Sequence, residues 1–183
     1  SQKDAFCSRS RTNHGLFAPK GSLMPPRRGS ILRWLGGKDR LRGMLLGPLL
    51  DAINARHGSV GARYLEPFAG SATVYFAVKP HLNGTRAAIY DLCEPLIDFL
   101  TDLRDQPEEL CAAFERILPL LEEHDPGYVF GLVRNRFNTT TPGIERSADF
   151  LFLNRTSFNG LYRENAEGLY NASLGAIEKF SFP

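Results

Sequence analysis

No apolar run in this chain approaches the length that spans a bilayer, which argues against a transmembrane helix. Cysteine is scarce: Cys7, Cys93 and Cys111 lie far apart, and no two share a Cys-x-x-Cys spacing. That scarcity argues against a disulfide framework or a zinc site and fits a reducing compartment, so no metal is expected. The net charge of +2 is too small to name a partner. Residues 1–30 lack the apolar core of a secretory signal. No repeat unit recurs along the body.

Charge is present but unevenly placed. Residues 1–42 hold ten Lys/Arg and two Asp, a charge of +8, whereas the remainder holds twelve Lys/Arg and eighteen Asp/Glu, a charge of −6. A basic front on an acidic body hints at a polyanion partner, although a solvated, disordered basic tail over residues 1–30 explains most of it. An apolar content of 43% suffices for a core of one domain.

Along the body, Leu41, Leu45, Leu49 and Ile53 recur every four residues and predict a helix over 39–56, kinked or split at Gly47-Pro48. "RYLEPFAGSATVYFAV" reads as a short strand, a glycine-containing turn and an apolar helix start. "RAAIYD" reads as a second strand ending on an acid. "EPLIDFLTDLRD" is a helix with Leu96, Ile97, Leu100 and Leu103 on one face. Pro107 opens another, with Leu110, Phe114, Ile117, Leu118 and Leu121 inward. Residues 128–137 and 144–153 predict two more, before a glycine- and asparagine-rich end.

Strand, glycine turn, helix, strand, acid is the opening of a nucleotide-binding α/β unit. The turn at 66–72 lets backbone approach a ligand at a helix N-terminus. Asp91, at the tip of the second strand, is placed to accept ribose hydroxyls. Glu66 as a simple helix cap is the plainer alternative.

Four blocks in order, "LRWLGGKDRL", "LEPFAGSATVYF", "IYDLCEPLI" and "FLFLNRTSFNGLYREN", resemble the Dam-like DNA adenine methyltransferases over residues 31–183. The resemblance implies an α/β, Rossmann-like S-adenosylmethionine-dependent methyltransferase core, incomplete here, with a helical DNA-recognition insertion. It implies methyl transfer from S-adenosylmethionine to the exocyclic amino group of adenine in double-stranded DNA, for restriction-modification, phage or host methylation. It further implies a cofactor-binding α/β part over 31–104 and a helical target-recognition part with a DNA-reading hairpin over 105–183. The setting it implies is the cytoplasm of a bacterial, archaeal or phage-infected cell.

The resemblance also carries residue roles. Trp34, Gly37 and Lys38 would lie against the cofactor, Lys38 reaching toward the active site. Glu66, Pro67, Phe68, Ala69, Gly70 and Ser71 would form the cofactor loop, Asp91 would hold the ribose, and Leu92 would flank the adenine ring. Phe158 would wedge between bases as adenine swings out, with Asn159 beside it. Leu161 and Arg163 would meet base edges, Arg163 suited to guanine. Arg134 and Arg155 would contact phosphates. Two positions depart from the family: Ala72 replaces a glycine of EPFxGxG, its Cβ either crowding the cofactor or being absorbed by a small shift, and Ser173 replaces a proline in "GLYNASLG", which would alter target recognition.

The family's catalytic Asp-Pro-Pro-Tyr block, which follows the DNA-reading segment, is not among these residues, so no catalytic residue is assigned. "DPGY" at 125–128 is no substitute, because Asp125 as N-cap and Pro126 at the first helical position explain it. A fragment, one part of a split enzyme completed by a second polypeptide, and a non-catalytic DNA-binding or interaction remnant all remain open. So does a small-molecule methyltransferase or dinucleotide enzyme, against which the hairpin speaks.

Overall fold

The computed structural model describes residues 31–38, 41–56 and 63–176. The basic tail expected over 1–30 lies outside them, as does the end of the chain from residue 177. The described elements are α1 (Arg42–Ala55), β1 (Arg63–Glu66), α2 (Thr73–Val78), β2 (Arg86–Ile89), α3 (Glu94–Asp105), α4 (Pro107–Glu115), α5 (Leu120–Glu123), α6 (Pro126–Thr139) and α7 (Ile144–Thr156).

β1 and β2 pair in parallel, Arg63 opposite Arg86 through Glu66 opposite Ile89, with α2 in the connection between them. Parallel pairing requires such a crossover, since a tight turn reverses the chain. The pairing continues past the strands: Tyr90 N donates to Glu66 O at 2.9 Å, and Ala69 N donates to Tyr90 O at 2.8 Å. These bonds draw the 67–72 turn onto the tip of β2.

The core is mostly helical. α7 packs against α3, α4 and α6, and its residues 147–154 are all buried. A helix buried on every side is a central element rather than a surface one. Phe150, Leu151, Phe152 and Leu153 are almost fully enclosed, each such side chain contributing roughly 1.5–3 kcal/mol of apolar burial. α7 also buries Asp149, which accepts hydrogen bonds from Arg136 Nε and Nη2 on α6. Burial holds the Asp149 carboxyl above its ordinary range, a rise that the Arg136 guanidinium only partly offsets.

Two local expectations need correction, and a third position is resolved in its packing. Pro48 sits inside α1 without splitting it. It lies on an exposed stretch beside exposed Met44, so the carbonyl left unpaired one turn earlier is not buried. The helix opened by Pro107 stops at Glu115 and resumes as α5, because Pro119 has no N–H to donate to the carbonyl four residues back. Ala72 does not line the cleft described below. It is fully buried in the hydrophobic core at φ +52, so its methyl is taken up by the core and its backbone is left-handed.

Asp125 caps α6 as expected, accepting from Gly127 N at 2.9 Å and Tyr128 N at 3.1 Å. Cys93 is a free thiol, and burial pushes it up to about 11. No described helix is long and apolar enough to cross a membrane.

Candidate functional site

Residues 34–38 fold over the 67–72 turn. Gly37 N donates to Trp34 O at 3.0 Å, closing a tight turn with Gly36 at φ +72. A Cβ on Gly37 would stand 2.9 Å from Trp34 O, so the doublet is sterically required. The indole stacks on Tyr162, centroids 6.2 Å apart, and tilts against Phe150 of α7. Its edge covers Gly70, where a Cβ would come within 2.9 Å of Trp34 Cδ1. The single tryptophan therefore anchors the segment to the core and forms one wall of the site.

The opposite wall comes from the strand tips. Gly70 N donates to Asp91 Oδ2 at 2.9 Å, and Cys93 N donates to Asp91 Oδ1 at 3.1 Å. Each carboxylate oxygen keeps lone-pair capacity for a further donor. Lys38 Nζ donates to Phe68 O at 2.6 Å and lies 3.7 Å from Glu66 Oε1. Glu66 itself is buried, with Oε2 accepting from Tyr64 OH at 2.9 Å.

Between these walls lies a cleft of about 280 Å³ lined by Trp34, Leu35, Gly36, Gly37, Lys38, Phe68, Ala69, Gly70 and Asp91. Of the residues expected at a cofactor, Trp34, Gly37, Lys38, Phe68, Ala69, Gly70 and Asp91 line it. Glu66, Pro67, Ser71 and Leu92 do not. The Ser71 side chain is buried against Thr73, Oγ to Oγ1 at 3.0 Å. Leu92 is 90% exposed, and two of the lining residues, Phe68 at 73% and Leu35 at 77%, are large apolar side chains left bare to solvent. Leu35 and Gly36 carry no separate signal in the sequence, although both lie inside the Trp-Leu-Gly-Gly-Lys block that points to the site.

The second candidate region follows α7. Ser157 pairs with Leu174 and Glu164 with Tyr170, both antiparallel, so residues 157–174 double back as an irregular hairpin. Phe158 opens it on a short 3-10 turn and is 55% exposed, so it is not a core residue. Asn159 is exposed at φ +55. A second cleft of about 210 Å³ is lined by Phe158, Leu161, Arg163, Ala172, Ser173 and Leu174. Asn159 and the two arginines assigned to phosphates are not among its lining residues. Arg134 lies on α6 over the Phe130 ring, 5.9 Å from its centroid. Arg155, in the last turn of α7, is pushed down to about 10 by burial and then by Arg33 nearby. Its Nε is buried and has no hydrogen-bond partner among the described residues.

The two regions are physically joined. Asn154, buried on α7, accepts from Arg33 N at 2.8 Å and donates to Arg33 O at 2.7 Å and to Gly160 O at 3.3 Å. Gly160, at φ +67, packs directly on Arg33. One amide thus holds the Trp34 segment against the hairpin. Asn154 has no signal in the sequence beyond its place in the "FLFLNR" block.

Residues 34–183 match the family model described as D12 class N6 adenine-specific DNA methyltransferase. A DNA adenine methylase of Haemophilus influenzae is 29% identical over 170 residues, covering 92% of this chain and 55% of that protein. Those of Escherichia coli K12 and Salmonella typhi are 32% and 30% identical, over 84% of this chain and 50% of each. The chain spans about half the length of the curated relatives it matches.

Proposed function

Because the chain belongs to the D12 class of N6 adenine-specific DNA methyltransferases, we propose that it binds S-adenosylmethionine in the cleft between Trp34 and Asp91 and presents the 157–174 hairpin to double-stranded DNA. The parallel β1–β2 pair with its α2 crossover is then the first unit of a Rossmann-like cofactor fold. Residues 105–183 are its target-recognition part.

The observation that carries this reading is the Asp91 carboxylate. Two backbone N–H groups orient it at the mouth of a cleft that has apolar side chains bared around it. That donor set fits the cofactor: Asp91 would accept the ribose hydroxyls, Leu35 and Phe68 would cover apolar surface, and the Trp34 ring would offer cation–π attraction to a cationic sulfur. Lys38, held by Phe68 O and close to Glu66, lines the same cleft. The bound cofactor supplies an electrophilic methyl group. Transfer to adenine needs no metal, only an amino nitrogen turned out of the duplex and aimed in line. Phe158 fills the gap the flipped base leaves, with Asn159 beside it and Arg163 on a base edge. Arg134 and Arg155 neutralise phosphates.

The 183 residues contain no Asp-Pro-Pro-Tyr block. In this proposal the acceptors for the adenine amino hydrogens come from such a block on an adjoining sequence or a second polypeptide. Methyl transfer then belongs to the completed protein, and cofactor and DNA binding to this chain.

Asp91→Ala tests the cofactor assignment. It is expected to weaken S-adenosylmethionine binding by about tenfold or more in equilibrium dialysis, the equivalent of a lost charge-assisted pair, with the circular dichroism spectrum unchanged. Equal affinity in a folded variant would remove the cleft from the account.

A further inference from the structure

We propose that Asn171 is a positioning residue for target recognition, clamping the Arg163 guanidinium along one edge so that the other edge is left to select guanine. This rests on the reading of the hairpin as the DNA-contacting segment, and it adds a residue for which that reading has no role.

The clamp begins in the backbone. Asn171 N donates to Arg163 O at 2.9 Å, and the neighbouring pair Glu164–Tyr170 forms an antiparallel bridge. Residue 171 is therefore fixed opposite residue 163. Its base is anchored in the helical part: Asn138 on α6 donates from Nδ2 to Tyr170 O at 3.1 Å and accepts from Tyr170 N at 2.9 Å, and Tyr170 is buried. Tension on Arg163 is thus resisted by α6 through Tyr170 and Asn171.

The side-chain contacts are selective. Arg163 Nε donates to Asn171 Oδ1 at 2.8 Å, and Nη2 donates to Asn171 O at 3.1 Å. Nε–H and the adjacent Nη2–H form one edge of the planar guanidinium, and both are consumed by a single residue. The far edge keeps two parallel N–H groups, one on each Nη. That pair matches the O6 and N7 acceptors of guanine in the major groove. Adenine sets an amino donor where guanine has O6, and repels one of the two. Arg163 is exposed and lines the cleft that also holds Phe158 and Ser173. Without the clamp, so long a side chain would sample many rotamers there, and holding it in one geometry makes its hydrogen bonds to a base edge selective.

The test selects duplexes from a pool randomised over twelve base pairs, using the 183-residue chain and sequencing the retained DNA. The unsubstituted chain is expected to enrich guanine at one position, and Arg163→Ala to lose that preference. Asn171→Ala is expected to reduce it about tenfold, with affinity for non-specific duplex and the thermal midpoint nearly unchanged. Asn171→Asp, which retains the acceptor, is expected to keep it. Asn171→Ser repeats the measurement if the alanine variant does not fold. Full guanine preference in Asn171→Ala alongside its loss in Arg163→Ala would overturn the clamp and leave the hairpin reading standing. No guanine preference in the unsubstituted chain, or a preference that survives Arg163→Ala, would overturn the hairpin reading and the clamp with it.

Discussion

Gly160→Ala is expected to destabilise the fold by about 3 kcal/mol and to loosen residues 33–38 from the hairpin. Two costs add. The backbone sits at φ +67, where a Cβ costs roughly 1–2 kcal/mol. That Cβ would also stand 2.3 Å from Arg33 Cβ and 3.0 Å from Arg33 O, which forces the two segments apart at a further 1–3 kcal/mol or so. Asn154 bridges the same two segments, so separating them stretches its bonds to Arg33 and Gly160 as well. Because Trp34 is the only tryptophan, its fluorescence reports on the segment directly, and the thermal midpoint reports the cost. A variant with unchanged midpoint and emission would mean that residues 33 and 160 are not in contact.

Asp149→Ala carries the next largest effect. The carboxylate is fully buried and holds Arg136 by two hydrogen bonds, Nε at 2.9 Å to Oδ2 and Nη2 to Oδ1. Removing one partner of a buried pair leaves the other uncompensated, at about 3–5 kcal/mol. The Arg136 side chain is 40% exposed, so water recovers part of that, and about 2–3 kcal/mol is expected in urea denaturation. Replacing both residues with apolar ones is expected to cost less than the single change, because no stranded charge remains. A single variant as stable as the unsubstituted protein would show that the pair does not tie α6 to α7.

Nearest-neighbour chemistry makes much of the fold legible in the sequence. Glu94–Asp105 stands out because Pro95 opens the helix and its apolar residues repeat on one face. Asp125-Pro126 announces α6 because a cap and a helix-starting proline act over a few residues. The β1–turn–α2–β2 unit is legible for the same reason. Long-range pairing is not. Asn154 meets Arg33 across 121 residues, and the stack of Trp34 on Tyr162 joins segments equally remote in the chain. Nothing near Asn154 distinguishes a bridging amide from a turn residue. Asn171 is hidden in the same way, since its value lies in standing opposite Arg163. Ser71 and Glu66 sit in the loop that the motif marks, but their side chains turn inward, a matter of local backbone that a motif does not encode. Sequence position alone leaves open where the Ala72 methyl goes, and the structure buries it in the core.

The central claim is that the cleft between Trp34 and Asp91 takes S-adenosylmethionine. Calorimetric titration of the 183-residue chain with S-adenosylmethionine, alone and with duplex DNA present, tests it most directly. The account predicts saturable binding of one cofactor per chain. A chain shown to be folded by circular dichroism that takes up no cofactor under either condition would contradict it.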